Sequence, residues 1–158
     1  MDQKLLKKHK SAQKRLASPP TFKALRRGHL PKPLDKFGGG RISSSDLINV
    51  GDSYHVCFAW RDGQILSDTA FYAWLFYGTP GMLFPLAILH HHPSHKPTHL
   101  LTPCRDDRDF TNRGLPGVIE FNIADKKFDP RRSDDRDHLV YEFCVRCGIA
   151  LGKPGGLI

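Results

Sequence analysis

A chain of 158 residues with 39% hydrophobic content and a mean hydropathy of −0.42 has material for one ordinary domain plus an appendage. Its formal charge of +8 is unevenly placed: residues 1–41 hold twelve of the 24 lysines and arginines against Asp2 and Asp35 alone, while residues 42–158 hold twelve bases and fourteen acids. The longest apolar stretches, 70–77 and 82–89, are split by Gly78-Thr79-Pro80-Gly81 and fall short of the roughly 18 residues of a membrane-spanning helix; the first residues also lack the apolar core of a secretory signal, so a cytoplasmic protein is expected.

Met1 to Leu16 reads as a basic helix that Ser18-Pro19-Pro20 stops, and Pro31-Lys32-Pro33 with Gly38-Gly39-Gly40 keeps the following residues open. Residues 1–44 are therefore expected to form a basic N-terminal arm, partly helical or disordered, and residues 45–158 the folded domain. Lys4, Lys7, Lys8, Lys10, Lys14, Arg15, Arg26 and Arg27 would neutralise phosphates without reading sequence, or hold an acidic partner protein. The plainer reading is a solubilising tail, since only Phe22 and Phe37 interleave these charges with aromatic rings.

Ser43-Ser44-Ser45-Asp46 marks a boundary and a helix cap before Leu47-Ile48. Tyr54 to Trp60 reads as a strand, Arg61-Asp62-Gly63 as a turn and Gln64 to Leu66 as the return strand. Residues 69–77 are ambiguous between strand and helix, Phe84 to Leu89 is a buried strand, and Gly117 to Ile123 is another that turns at Ala124-Asp125-Lys126. Asp129 to Asp137 reads as a charged loop and His138 to Ile149 as a final strand or helix. The order fits an α+β domain with a central sheet.

The chemistry concentrates at His90-His91-His92-Pro93. On an extended segment, side chains two apart share a face, so His90 and His92 converge on one ion while His91 turns away. Cys104 follows eleven residues after Pro93, with Asp106 and Asp107 just beyond it as candidates for a third ligand. Three N/O ligands with one position left for water describe a catalytic zinc site. The competing reading is a surface patch that binds metals adventitiously, because residues 90–99 hold five histidines.

These residues resemble the JAB/JAMM (MPN) metalloproteases, whose signature is H-x-H-P, a variable loop and P-S-x-x-D; here it is matched by His90-His91-His92-Pro93 and Pro103-Cys104-Arg105-Asp106-Asp107. The similarity is greatest to bacterial JAB-like domains of polymorphic toxins, phages and plasmids. It runs over roughly residues 49–129, including the apolar Phe84 to Leu89 that enters the histidines and the Gly114-Leu115-Pro116 segment that leads into a strand. The resemblance implies a single JAB/MPN-like domain with a central mixed sheet and flanking helices, and one zinc per chain on His90, His92 and Asp107. It also implies a peptide or ubiquitin-like protein as substrate and, for a toxin-associated chain, delivery to another cell. The register after Cys104 favours Asp107 over Asp106 as the ligand.

The chain departs from the family pattern in three places. Cys104 stands where the family has a serine that stabilises the oxyanion, and a thiol is the weaker donor. The loop between Pro93 and Pro103 is longer than in compact members. No glutamate precedes Glu120, so the family's upstream general base is missing. Asp52, just before the Tyr54 strand, is the first candidate to replace it and Asp68 the second, while Asp62 reads as a turn former. The expected function is a zinc-dependent peptidase or isopeptidase. The missing glutamate and serine support an alternative: a catalytically silent binding module or inhibitor acting on a nucleic-acid-handling complex. A histidine-aspartate site beside a basic arm also suits a metal-dependent nuclease. Cys144-Val145-Arg146-Cys147 has the spacing of half a zinc ribbon, but only Cys57 and Cys104 remain to complete it, so packed thiols are expected there.

Overall fold

The computed structural model describes residues 3–92, 95–101, 119–121 and 128–152. Helix α1 (Gln3–Ser11) leads into strands β1 (Lys14–Leu16), β2 (Lys23–Ala24), β3 (Ile42–Ser44) and β4 (Ile48–Gly51). Three long strands follow, β5 (Tyr54–Arg61), β6 (Ala70–Thr79) and β7 (Met82–His92), and then β8 (His95–Leu101) and β9 (Ile119–Phe121). Helix α2 (Ser133–Arg146) and strand β10 (Ile149–Leu151) complete the described elements.

The long strands form where aromatic and β-branched residues crowd, as their preference for a pleated, half-buried surface requires. They pair as an antiparallel meander within an eight-stranded sheet of order β2-β3-β5-β6-β7-β8-β9, with β4 added alongside β5. A separate two-stranded sheet joins β1 to β10 in parallel. The molecule is thus α+β, with antiparallel and parallel pairing both present and two α-helices among the described residues.

Residues 69–77 are ambiguous in sequence because both faces of β6 are buried, which erases the alternation of a half-exposed strand. Phe71, Ala73 and Leu75 pack with Phe58, Leu89 and the α2 residues Leu139, Val140 and Phe143. Tyr72, Trp74 and Phe76 face the other way. No helix among the described residues covers that second face. Leu25, Leu30 and Leu34 cover it instead, with Phe37 edge-on to Tyr72 and Trp74.

The boundary expected at residue 44 therefore does not separate an arm from a domain. Leu16, Leu25, Leu30 and Leu34 are all buried in the two cores. Lys14, read as a phosphate-binding side chain, is 3% exposed, and its ammonium donates to the carbonyls of His9, Lys10 and Ala12, closing the C-terminal end of α1. Arg15 donates to the carbonyls of Leu151 and Gly152. Two glycines admit this segment. A β-carbon on Gly51 would stand 2.8 Å from the Gln13 carbonyl oxygen, and one on Gly148, at φ 70°, would overlap that of Lys10. The segment's leucines are spaced too irregularly to show a helical or strand period, yet each reaches apolar surface, which is why composition alone reads as an open arm.

Smaller expectations also change. The serine run caps no helix, since Ile42–Ser44 and Ile48–Gly51 are strands. The return of the β5 hairpin begins at Ala70 rather than Gln64, after a 3-10 turn at Leu66–Asp68. The last segment is helix through Arg146 and strand from Ile149, and α2 starts inside the expected charged loop. No described helix is long and apolar enough to cross a membrane.

Candidate metal centre

His90 and His92 lie near the end of β7 on the same face, as the two-residue period of a strand demands. Tyr72, paired with His90 across the β6–β7 ladder, sets its ring edge-on to both imidazoles, with ring centres 5.3 Å from His90 and 5.9 Å from His92. The two imidazole centres are 6.1 Å apart. His91 takes the opposite face. It is 6% exposed and packs against Phe128, whose carbonyl oxygen lies 3.0 Å from its Nε2. Burial holds the His91 pKa below its ordinary value, although the Phe128 carbonyl and Asp135 pull the other way. A carbonyl only accepts, so the neutral His91 ring donates Nε2–H.

Two imidazoles sharing one tetrahedral ion at about 2.0–2.1 Å place their ring centres roughly 5 Å apart. From 6.1 Å, a modest side-chain rotation brings both donors to one ion. The imidazole pair therefore suits zinc as two of its ligands. Among the residues whose side chains are described, which leaves out those of 95–101 and 119–121, no three His, Cys, Asp or Glu are grouped so as to hold a metal ion. Cys104, Asp106 and Asp107 lie outside the described residues.

Asp52 is not brought to the histidines. It is an exposed residue at φ 40° in the β4–β5 turn, where its carbonyl accepts from Asn49 Nδ2 at 3.0 Å. Tyr54 pairs with Tyr77 whereas His90 pairs with Tyr72, so the turn sits five residues along β6 from His90. At about 3.4 Å per residue this is roughly 17 Å, against the hydrogen-bond reach that a general base needs. The correction follows from the meander itself: β5 and β7 run the same way, so the start of one and the end of the other lie at opposite ends of the sheet.

Asp62 and Asp68, on the crossing from β5 to β6, lie at the histidine end. Asp62 makes a turn as expected, accepting the Gln64 amide at 3.1 Å. Asp68 is exposed, and its backbone carbonyl accepts from Arg61 Nε at 3.1 Å. Arg61 also acts on Tyr72, whose hydroxyl pKa is raised by burial and pulled partly back by the guanidinium. Tyr72 and Arg61 are the neighbours that motif reading missed; alternation along β6 would have put Tyr72 on the relevant face.

The described cysteines, Cys57, Cys144 and Cys147, are not grouped as a metal site. Cys144 and Cys147 are buried in the α2 core, whereas Cys57 belongs to the opposite face of the sheet. Burial pushes the thiols of Cys57 and Cys144 up to about 12 and that of Cys147 up as well, which keeps them protonated. Of the basic residues, Lys4, Lys7, Lys8 and Lys10 are exposed along α1, as are Arg26 and Arg27 on the loop over the second face. Comparison with known proteins found no match to any family model, curated protein or solved structure.

Proposed function

We propose that this chain is a cytoplasmic zinc-dependent hydrolase of peptide or isopeptide bonds, its ion held by His90 and His92, with Asp107 as the third ligand that the resemblance implies. The observation that carries the reading is the division of the histidine run. His90 and His92 share one face while His91 is committed to a backbone carbonyl on the other. Strand period sorts the run, and what it leaves on one face is two imidazoles with ring centres 6.1 Å apart, close enough to share one ion. Zinc, when bound, supplies a water whose pKa is lowered to about 7. Asp68 is the acid suited to take that proton, being at the histidine end where Asp52 is not. Tyr72 limits the tilt of both imidazoles, and Cys104 stands where the family donates to the oxyanion.

The displacement of Asp52 favours a second reading, a catalytically silent module that contacts nucleic acid or an acidic protein through the exposed lysines of α1. One experiment separates the two: metal analysis of untagged protein, followed by assay against short peptides and ubiquitin-like conjugates. The hydrolase reading expects about one zinc and zinc-dependent cleavage that His90→Ala abolishes. Bound zinc without cleavage assigns the chain to the second reading.

A further inference from the structure

The β7–β8 ladder places position 99, a histidine in the sequence, opposite His90. Pairing runs without interruption through Ile88 with Leu101, Leu89 with Leu100 and His90 with His99. Residues directly opposed in antiparallel strands share a face, with Cβ positions about 4.5–5.5 Å apart. Position 99 therefore falls on the face of Ile88 and His90, which also carries His92 and Tyr72. A register shift separates this ladder from the pairing of His92 with His95, so the same alternation does not extend to position 95. His90 thus has one histidine two residues along its own strand and a second directly across from it.

We propose that His99 is the third protein ligand of the ion held by His90 and His92, making a tri-imidazole centre for a divalent first-row ion with one coordination position left for water. The inference rests on the metal reading above and replaces its third ligand, since three imidazoles complete an open site without Asp107. Neutral imidazoles leave the ion its full double charge, which favours ionisation of a bound water more than a carboxylate ligand does. The cross-strand ladder also fixes the spacing of positions 90 and 99 through backbone hydrogen bonds, independently of the residues that follow β8.

The test uses the full chain, purified without a histidine tag and stripped of metal. It is titrated with cobalt(II) and with zinc, and the imidazoles around bound zinc are counted by X-ray absorption. The expected result is one ion per chain with three imidazoles. Zinc affinity should fall by about tenfold or more in His99→Ala and stay within about twofold of the parent in Asp107→Ala and His95→Ala. If Asp107→Ala loses the ion and His99→Ala keeps it, the tri-imidazole assignment is overturned while the hydrolase site stands. If His90→Ala and His92→Ala leave binding unchanged, both fall. The imidazole count on the parent protein decides where substitutions disturb folding or where both weaken binding: three supports the assignment and two overturns it.

Discussion

His9 Nδ1, in the N-terminal helix, lies 2.8 Å from the hydroxyl of Tyr54 at the start of β5. The Tyr77 ring packs 4.7 Å from the same imidazole, and the Lys14 ammonium sits 4.9 Å over the Tyr54 ring. A segment with the composition of a tail is thereby pinned to the end of the sheet remote from the histidine pair.

Deleting residues 1–16 should abolish cooperative unfolding, because it removes α1, β1 and the buried Leu16 together. Gly148→Ala is the milder version. Its methyl would meet the Lys10 carbonyl at a φ of 70°, a conflict expected to destabilise by more than about 1 kcal/mol. Thermal melts followed by circular dichroism report both. A truncated chain that melts like its parent would show that the segment is dispensable.

Acid should loosen this corner. Burial, and next the charges of Lys14 and Lys8, hold the His9 pKa below its ordinary value. The unfolded chain, with its histidine near pKa 6.5, then binds more protons than the folded one as pH falls. The contribution is full above about pH 6.5 and is lost as pH drops through the folded-state pKa. His9→Gln should therefore flatten the fall in melting temperature on the acid side, and an unchanged slope would count against this origin.

His91→Ala separates structure from ligation. Loss of its bond leaves the Phe128 carbonyl without this donor, at a cost of about 1–3 kcal/mol. Zinc stoichiometry should stay at the parental value, measured by elemental analysis after dialysis. Loss of zinc equal to that of His92→Ala would return the site to a loose histidine patch.

Two aspartates should behave oppositely. Asp52→Asn, remote from the histidines and exposed, should leave hydrolysis and metal content unchanged. Asp68→Asn should keep the metal and lower turnover by roughly two to four orders of magnitude if it is the general base. Steady-state rates on a single peptide substrate distinguish them, and a large defect in Asp52→Asn would overturn this placement of the acid.

Binding to duplex DNA, if the exposed face of α1 carries it, should depend on salt through the lysines that remain free to reach phosphate. Replacing Lys4, Lys7, Lys8 and Lys10 with glutamine should reduce the log–log salt slope by as much as about 3.6 without unfolding the protein. Fluorescence anisotropy across a salt series provides the readout, and an unaltered slope would remove α1 from the interface.

Two strands of the meander and the sorting of the histidine run were readable from residue order, because strand period is a local signal, whereas β6 between them was not, since both its faces are buried. Tyr54 to Trp60 and Phe84 to Leu89 fall within observed strands, and His90 and His92 share a face. The wrapping of residues 14–44 was not readable, since Leu16, Leu25, Leu30 and Leu34 follow no period and find their partners only in three dimensions. Asp52 was misplaced for a related reason. Order along the chain does not reveal which end of an antiparallel sheet a turn occupies, and strand directions had to be known first.

Parallel pairing of Lys14–Leu16 with Ile149–Leu151 has a consequence for biosynthesis. The β5–β6–β7 hairpins are local and can close while the chain is still being made. The docking partner of residues 14–16 emerges from the ribosome more than a hundred residues later, so Leu16 and the apolar surface awaiting α2 stay uncovered through most of translation. Final closure therefore waits until residues 149–151 have emerged, and the nascent chain is most vulnerable to aggregation during that interval.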